Sequence, residues 1–290
     1  MKKFMMLFAG LTFILASCSD DDGDTVAPGS LTLNLDGLED LGEGYLYEGW
    51  VIVDGSPVTT GTFSVDADGN LSQTSFEVDA VTLESATAFV LSIEPSPDPD
   101  PAPADTKLLM GEFSGSSASV TTGIVGDFSN ISGAFFLRTP TDETGENNGN
   151  DENGVWFRTP GMPPTPNFEL PELSAGWVYE GWVIGDNGPI TTGTFSAFDE
   201  ADMAAPYSGT SQSGPPVPGE DFFMNAPEGE TFPLDVRGRT VVISVEPVPD
   251  NSAAPFAIKP LLGTAGQDTA PATHDFSPNL GSLATGTVTR

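Results

Sequence analysis

Apart from carboxylates, few residues in this 290-residue chain are of a type that does chemistry. There is one histidine, His274, and one cysteine, Cys18. A single histidine forbids a two-histidine zinc site and leaves a serine–histidine–acid arrangement only one candidate base. The position matching His274 in an earlier, similar stretch is Gly126, so the side chain reads as surface decoration. A single cysteine removes disulfides and cysteine-ligated metals together. Acids number 42 against 9 basic residues, for a formal net charge of −33. Such a surface repels phosphate backbones, which excludes nucleic acid as a partner.

Among so many acids, carboxylate pairs for glycoside hydrolysis are available in principle. Glu48 and Glu180, the two set beside aromatic residues, lie far apart in sequence without an evident partner, and read as hydrogen-bonded or rim positions next to tryptophan. No catalytic residue is assigned and no enzyme activity is expected. The stretch Thr141–Gly154, TDETGENNGNDENG, offers Asp142, Glu143, Asp151 and Glu152 as ligands for a hard cation such as calcium; the alternative is a solvated, mobile tip. No other cofactor is expected. Asp66–Asn70 starts like a calcium loop but lacks its later ligands and terminal glutamate, so it reads as a turn.

The N-terminus gives an address. Residues 1–17 combine Lys2 and Lys3, an apolar run from Phe4 to Leu15, and small residues before Cys18, the layout of a secretory signal. Leu15-Ala16-Ser17-Cys18 resembles a bacterial lipobox, which implies acylation of Cys18 and a membrane attachment through lipid. Residues 18–29 form an acidic tether too poor in apolar residues to fold. Ser19-Asp20-Asp21-Asp22 resembles an export tag for surface lipoproteins. The expected location is therefore the outer membrane, lipid-anchored and surface-exposed, with the periplasm as the other possibility.

The elements that must position any site come from a repeat. Tyr47–Ser64, YEGWVIVDGSPVTTGTFS, returns without a gap as Tyr179–Ser196, YEGWVIGDNGPITTGTFS, with 14 of 18 positions identical. Each copy reads as strand, turn and strand. Gly (33) and Pro (26) are abundant, which suits many short strands rather than long helices. The expected fold is all-β: two tandem antiparallel β-sandwich (Ig-like) domains, at residues 30–160 and 168–290, joined by a proline-stiffened linker at 161–167. FLRTP at Phe136–Pro140 and WFRTP at Trp156–Pro160 predict a long hairpin across the acidic loop. Phe168–Leu173 reads as the second copy's lead strand. The second copy carries about twenty extra residues within 197–240, where specialised binding would sit. Tyr47, Trp50, Tyr179 and Trp182 are either core aromatics or a sugar-stacking platform, and the central-strand pattern favours the core.

The order Tyr-x-x-Trp-Val-Ile, turn, Thr-Gly-Thr-Phe, Asp-Ala-Asp-Gly, then a strand ending Glu-Pro before a proline-rich loop, resembles the extracytoplasmic C-terminal domain of anti-sigma-K-type factors. Tyr47, Trp50, Thr62, Phe63, Asp66, Asp68, Gly69, Glu94 and Pro95 carry it in the first copy, and Tyr179, Trp182, Phe195, Glu246 and Pro247 in the second. The family's membrane helix and cytoplasmic sigma-binding domain have no counterpart here, and Gly49 and Gly181 stand where the family more often has a bulky apolar residue. The resemblance implies a non-catalytic interaction or sensory module without sigma-binding activity, facing an unknown envelope protein or glycan. A glycan-binding surface lipoprotein is the second expectation and an envelope hydrolase the third.

Overall fold

The computed structural model describes residues 28–142, 149–209, 214–250 and 252–290. Cys18, the leader, the tether as far as residue 27 and Glu143 lie outside them, while Pro28 and Gly29, expected in the tether, already belong to the first strand. The chain is nearly all-β. Eight strands run from β1 (Pro28–Asp36), β2 (Tyr45–Val53), β3 (Ser56–Phe63) and β4 (Ser75–Asp79) to β5 (Ala88–Pro95), β6 (Lys107–Ser114), β7 (Ser117–Thr121) and β8 (Ala134–Leu137). Eight more follow: β9 (Gly154–Trp156), β10 (Trp177–Ile184), β11 (Pro189–Phe195), β12 (Gly219–Asp221), β13 (Thr240–Pro247), β14 (Leu261–Thr264), β15 (His274–Pro278) and β16 (Thr285–Thr289). Among the described residues a short α-helix, Ala80–Ser85, starts where the Asp79 carboxylate accepts the Thr82 N–H at 2.7 Å, satisfying a donor that the first helical turn leaves without a partner.

The strands form two antiparallel sheets of eight, each barrel-like. The first runs β3-β2-β5-β6-β7-β16-β1-β4 and the second β11-β10-β13-β14-β15-β8-β9-β12. Strand by strand the two orders correspond when eight is added to each number, counting on from sixteen to one. The chain is thus β1–β8 followed by its repeat β9–β16, and the eighth strand of each copy lies in the other copy's sheet. This is an exchange of equivalent elements of the kind seen between swapped protomers, here within one chain.

This exchange corrects the expected domain boundaries. Residues 30–160 are not one unit, because β8 pairs with β15 (Phe135 opposite His274) while β16 closes the first sheet between β7 and β1. Residues 161–167 are not the inter-domain linker: β9 and β10, on either side, belong to the same sheet. The repeats meet instead in the acidic loop between β8 and β9. Phe168–Leu173 forms no strand and contributes a single bridge, Ser132 to Glu169. Pro171 interrupts it, and β9 takes the lead-strand position. Each sheet is continuous rather than split into two facing Ig-like layers. FLRTP and WFRTP do pair across the loop, with Phe136 opposite Trp156 and Leu137 opposite Val155.

β16 explains why the exchange holds. Its five residues pair with β7 on one side and with β1 on the other, Val288 opposite Ala118 and Leu33, and Val288 is fully buried. Alternation with exposed threonines puts the valine inward and fixes register. Beyond the strand, the Arg290 guanidinium donates to the carbonyls of Leu83, Ala86 and Gly115 and lies 4.3 Å from the Phe113 ring centroid. One contiguous apolar core runs through both sheets. Direct bonds join them, including the Trp177 indole N–H to the Lys107 carbonyl at 3.2 Å and the Ser174 hydroxyl to the Ile124 carbonyl at 2.6 Å.

The repeated signature builds the same hairpin twice. Gly49 faces Gly61 while Trp50 faces Thr59, and Gly181 faces Gly193 while Trp182 faces Thr191. One residue, Thr60 or Thr192, is therefore extra, a β-bulge that bends the strand. Gly61 and Gly193 hold φ of 120° and 109°, which L side chains rarely adopt. Gly181 is required for space: a Cβ there would meet Phe157 at 2.2 Å and Thr192 at 2.3 Å.

Candidate functional site

Behind each bulge lies the same buried relay. Trp50 Nε1 donates to Ser92 Oγ at 2.8 Å and Trp182 Nε1 to Ser244 Oγ at 2.7 Å. Each serine donates onward to a carboxylate, Glu94 or Glu246. Those carboxylates also accept a backbone N–H from the following loop, Ala104 at 2.9 Å and Phe256 at 2.9 Å. A second glutamate per copy, Glu48 or Glu180, accepts the hydroxyl of Thr59 or Thr191 across the bulge. The strand geometry forces the meeting, since Glu48 stands opposite Ser92 on paired β2 and β5, and Glu180 opposite Ser244 on β10 and β13.

All four signature aromatics are buried: Trp50 is 3 % exposed, Trp182 2 %, Tyr47 0 % and Tyr179 2 %. The tyrosine hydroxyls donate to the carbonyls of Glu39 at 3.0 Å and Pro171 at 2.6 Å. They present no stacking face to a sugar. His274 has both ring nitrogens engaged by backbone: Nδ1 accepts from Gly266 N–H at 3.2 Å and Nε2 meets the Asp268 carbonyl at 2.9 Å. Asp151 accepts the Thr139 N–H, Asp142 accepts from the Asn150 side chain, and Glu152 lies 3.7 Å from the Arg237 guanidinium. These three acids of the 141–154 loop are not drawn into a shared ligand set. Asp66 caps its own turn, accepting from Asp68, Asn70 and the Asn70 side chain.

A cleft of about 520 Å³ lies between the two sheets. Leu41, Tyr45, Ile93 and Pro95 line it from the first copy, Val248 and Phe256 from the second. Glu39, Asp40, Glu246 and Asp250 supply carboxylates. Just inside the wall, one carboxylate oxygen each from Glu180, Glu246 and Asp250 lie within 4.8 Å of one another. Two unit charges at that spacing and an effective dielectric near 20 repel by roughly 3 kcal/mol. Burial accordingly pushes Glu39 up to about 7, against the pull of Lys259 and the Ala257 N–H. It pushes Glu246 up to about 7, against its bonds from Ser244 and Phe256. Glu180 is raised too, first by burial and then by the charges of Glu246 and Asp250.

The 197–240 segment holds a second set of buried acids. Its β12 pairs with β9 and occupies the place that β4 fills in the first sheet, so part of the apparent insertion is a regular strand. Asp221 accepts the Thr141 N–H at 2.8 Å and its hydroxyl at 2.5 Å; Asp202 accepts the Gly219 N–H at 2.9 Å. Burial raises both to about 7. Asp221 in the unfolded chain titrates near 3.8, so its protonated form is favoured by folding. That stabilisation is complete below about pH 4 and is lost as pH rises through 7. A shift of about 3 units at 1.36 kcal/mol each is on the order of 4 kcal/mol. Stability measured by urea unfolding should fall between pH 5 and pH 8.5, and Asp221→Asn should flatten the slope. Identical slopes in the two proteins would refute this assignment.

No family model, no curated protein and no solved structure matches the chain. Sequence reasoning overlooked Ser92, Ser244, Asp98 and Asp250. A second repeat marks them: Ser92-Ile93-Glu94-Pro95-Ser96-Pro97-Asp98 returns as Ser244-Val245-Glu246-Pro247-Val248-Pro249-Asp250.

Proposed function

We propose that this chain is a cell-envelope lipoprotein whose two exchanged β units form a non-catalytic binding or sensory module, attached to the outer membrane through Cys18. The observation that carries the reading is the cleft, whose walls come from both copies and are held by a core common to both sheets. Concave, largely apolar sites with a few convergent polar groups are where ligands bind. The likeness to anti-sigma-K-type outer domains supports an extracytoplasmic sensing role without sigma binding. Among the described residues, no helix is long and apolar enough to cross a membrane, and the lipobox supplies the attachment instead.

The carboxylates also invite the hydrolase reading, because an acid raised to about 7 beside another carboxylate suits proton transfer. Their arrangement favours binding. Glu180 and Glu246 are 5 % and 0 % exposed, so neither carboxyl is open to a substrate in the way a general acid and its partner must be. A glycan ligand would have to occupy the cleft rather than the tryptophans.

Cys18→Ala should move the protein from the detergent phase to the aqueous phase, since acyl chains at about 0.8 kcal/mol per buried methylene are the only strong membrane affinity in so acidic a chain. A variant remaining in the detergent phase contradicts the anchor. For the cleft, Val248→Lys changes a lining residue that is 48 % exposed. It should abolish recovery of whatever envelope component the tagged wild type retains; undiminished recovery contradicts the cleft as the binding surface.

A further inference from the structure

We propose that Glu180, Glu246 and Asp250 bind one divalent cation of calcium type at the inner wall of the cleft. The three come from β10, the end of β13 and the loop directly after it, so two paired strands and one loop converge on a single point. One oxygen from each lies within 4.8 Å of the others. Oxygens on opposite sides of a calcium ion, at 2.3–2.6 Å each, stand about 4.6–5.2 Å apart.

The second observation is independent of the cluster. Glu180 is 5 % exposed; its Oε1 takes the Thr191 hydroxyl, its Oε2 is sealed from solvent and takes no N–H or hydroxyl donor, and the Asp250 carboxyl is its hydrogen-bonding neighbour. A buried carboxylate oxygen without a donor, set beside a second carboxyl, calls for a proton or a cation between them. Glu246 is held ready by its bonds from Ser244 and from Phe256 N–H, at 2.9 and 3.2 Å to its two oxygens. Asp250 and Glu246 both line the cleft, which is the path of entry.

The ligand set is oxygen only, which selects hard cations over zinc or copper. Three carboxylates offer up to six oxygens in an irregular array. That suits calcium, whereas magnesium keeps most of its waters and uses one or two carboxylates. Lys259 lies near Glu246 but also near Glu39, so one cation is shared with a fourth acid. The first copy supplies an internal control. Glu48, Glu94 and Asp98 hold the equivalent positions, yet among the described residues only the second copy's acids gather into a ligand set. The inference does not depend on the proposed envelope function, since a cation bound here would stabilise the chain whatever the cleft receives.

The test uses the full chain in detergent, stripped with a chelator and returned to about 150 mM potassium chloride at pH 7.5. Calcium chloride should give one saturable isotherm and raise the thermal midpoint; magnesium should bind at least tenfold more weakly. Terbium should emit on tryptophan excitation, because Trp182 bonds Ser244, which bonds Glu246, and calcium should quench that emission. Asp250→Asn, which removes a repelling charge and should fold, and Glu180→Gln should each weaken calcium at least tenfold. Asp98→Asn should leave it unchanged. A wild type with no saturable calcium isotherm, magnesium binding as tight as calcium, or unchanged calcium affinity in both second-copy variants would overturn the proposal. None of these results bears on Cys18 or on recovery of a cleft ligand, so this site can fail while the module reading stands.

Discussion

A fragment of residues 28–160 should show no cooperative unfolding transition. It contains the first signature and seven of the eight strands of the first sheet, but not β16, which sits in the sheet interior between β7 and β1 with five residue pairs on each side. Losing two such ladders removes about ten backbone hydrogen bonds at a net 0.5–1.5 kcal/mol each, on the order of 10 kcal/mol. Whole-domain stability is typically only about 5–15 kcal/mol. The fragment also loses Val288 and Ala284 from the core and the grip of Arg290 on Leu83, Ala86 and Gly115. Its own β8 would be left without β15. A permuted chain, with residues 282–290 joined through a short loop ahead of residue 28 and ending at 121, should regain a β-rich, cooperative transition. Urea titrations followed by circular dichroism compare the two. A cooperative transition in the simple fragment would mean that β16 is dispensable.

Trp50→Ala and Trp182→Ala should each cost roughly 3–5 kcal/mol, the range for deleting a large core aromatic. Both indoles are buried behind a bulge in identical register, and both donate to a buried serine that in turn holds a glutamate. Truncation therefore leaves a cavity and removes the donor that orients Ser92 or Ser244. Trp→Phe at the same positions keeps much of the ring volume and loses the donor, so it should cost less, about 1–3 kcal/mol. Chemical unfolding at constant m-value measures both. If the alanine variants keep wild-type stability and lose affinity for an envelope glycan, the tryptophans are a binding platform after all.

Local pattern made much of this structure legible. Tyr45–Val53 and Trp177–Ile184 are strands, as the first half of each repeat predicts, because apolar residues on both faces between turn signals leave little alternative. The hairpins followed from the turn residues, and the pairing of FLRTP with WFRTP from their likeness. The exchange was hidden because register and alternation describe a strand's faces but not which neighbour it takes. Thr285–Thr289 pairs as well, on sequence grounds, with β15 as with β7. Choosing between them depends on long-range packing, here Val288 against the first core and Arg290 beyond it. The acid site was half visible: Glu48 and Glu180 drew attention through their aromatic neighbours. Their partners sat in a second repeat, Ser-x-Glu-Pro-x-Pro-Asp, whose prolines read as loop rather than as the frame of a site. Cys18 and its lipobox lie outside the described residues.

The strand exchange is tested most directly by a cross-link. With Cys18 replaced by serine, Thr287→Cys on β16 and Ser119→Cys on β7 place two thiols on partner residues, both exposed. Antiparallel partners have Cα atoms about 4.5–5.5 Å apart, within the span a disulfide bridges. Mild oxidation of the folded chain should close this pair within one molecule and leave its unfolding cooperative, while Thr287→Cys combined with Ser277→Cys on β15 should stay reduced. Closure of the β15 pair and not of the β7 pair would show two simple tandem units and contradict the exchange.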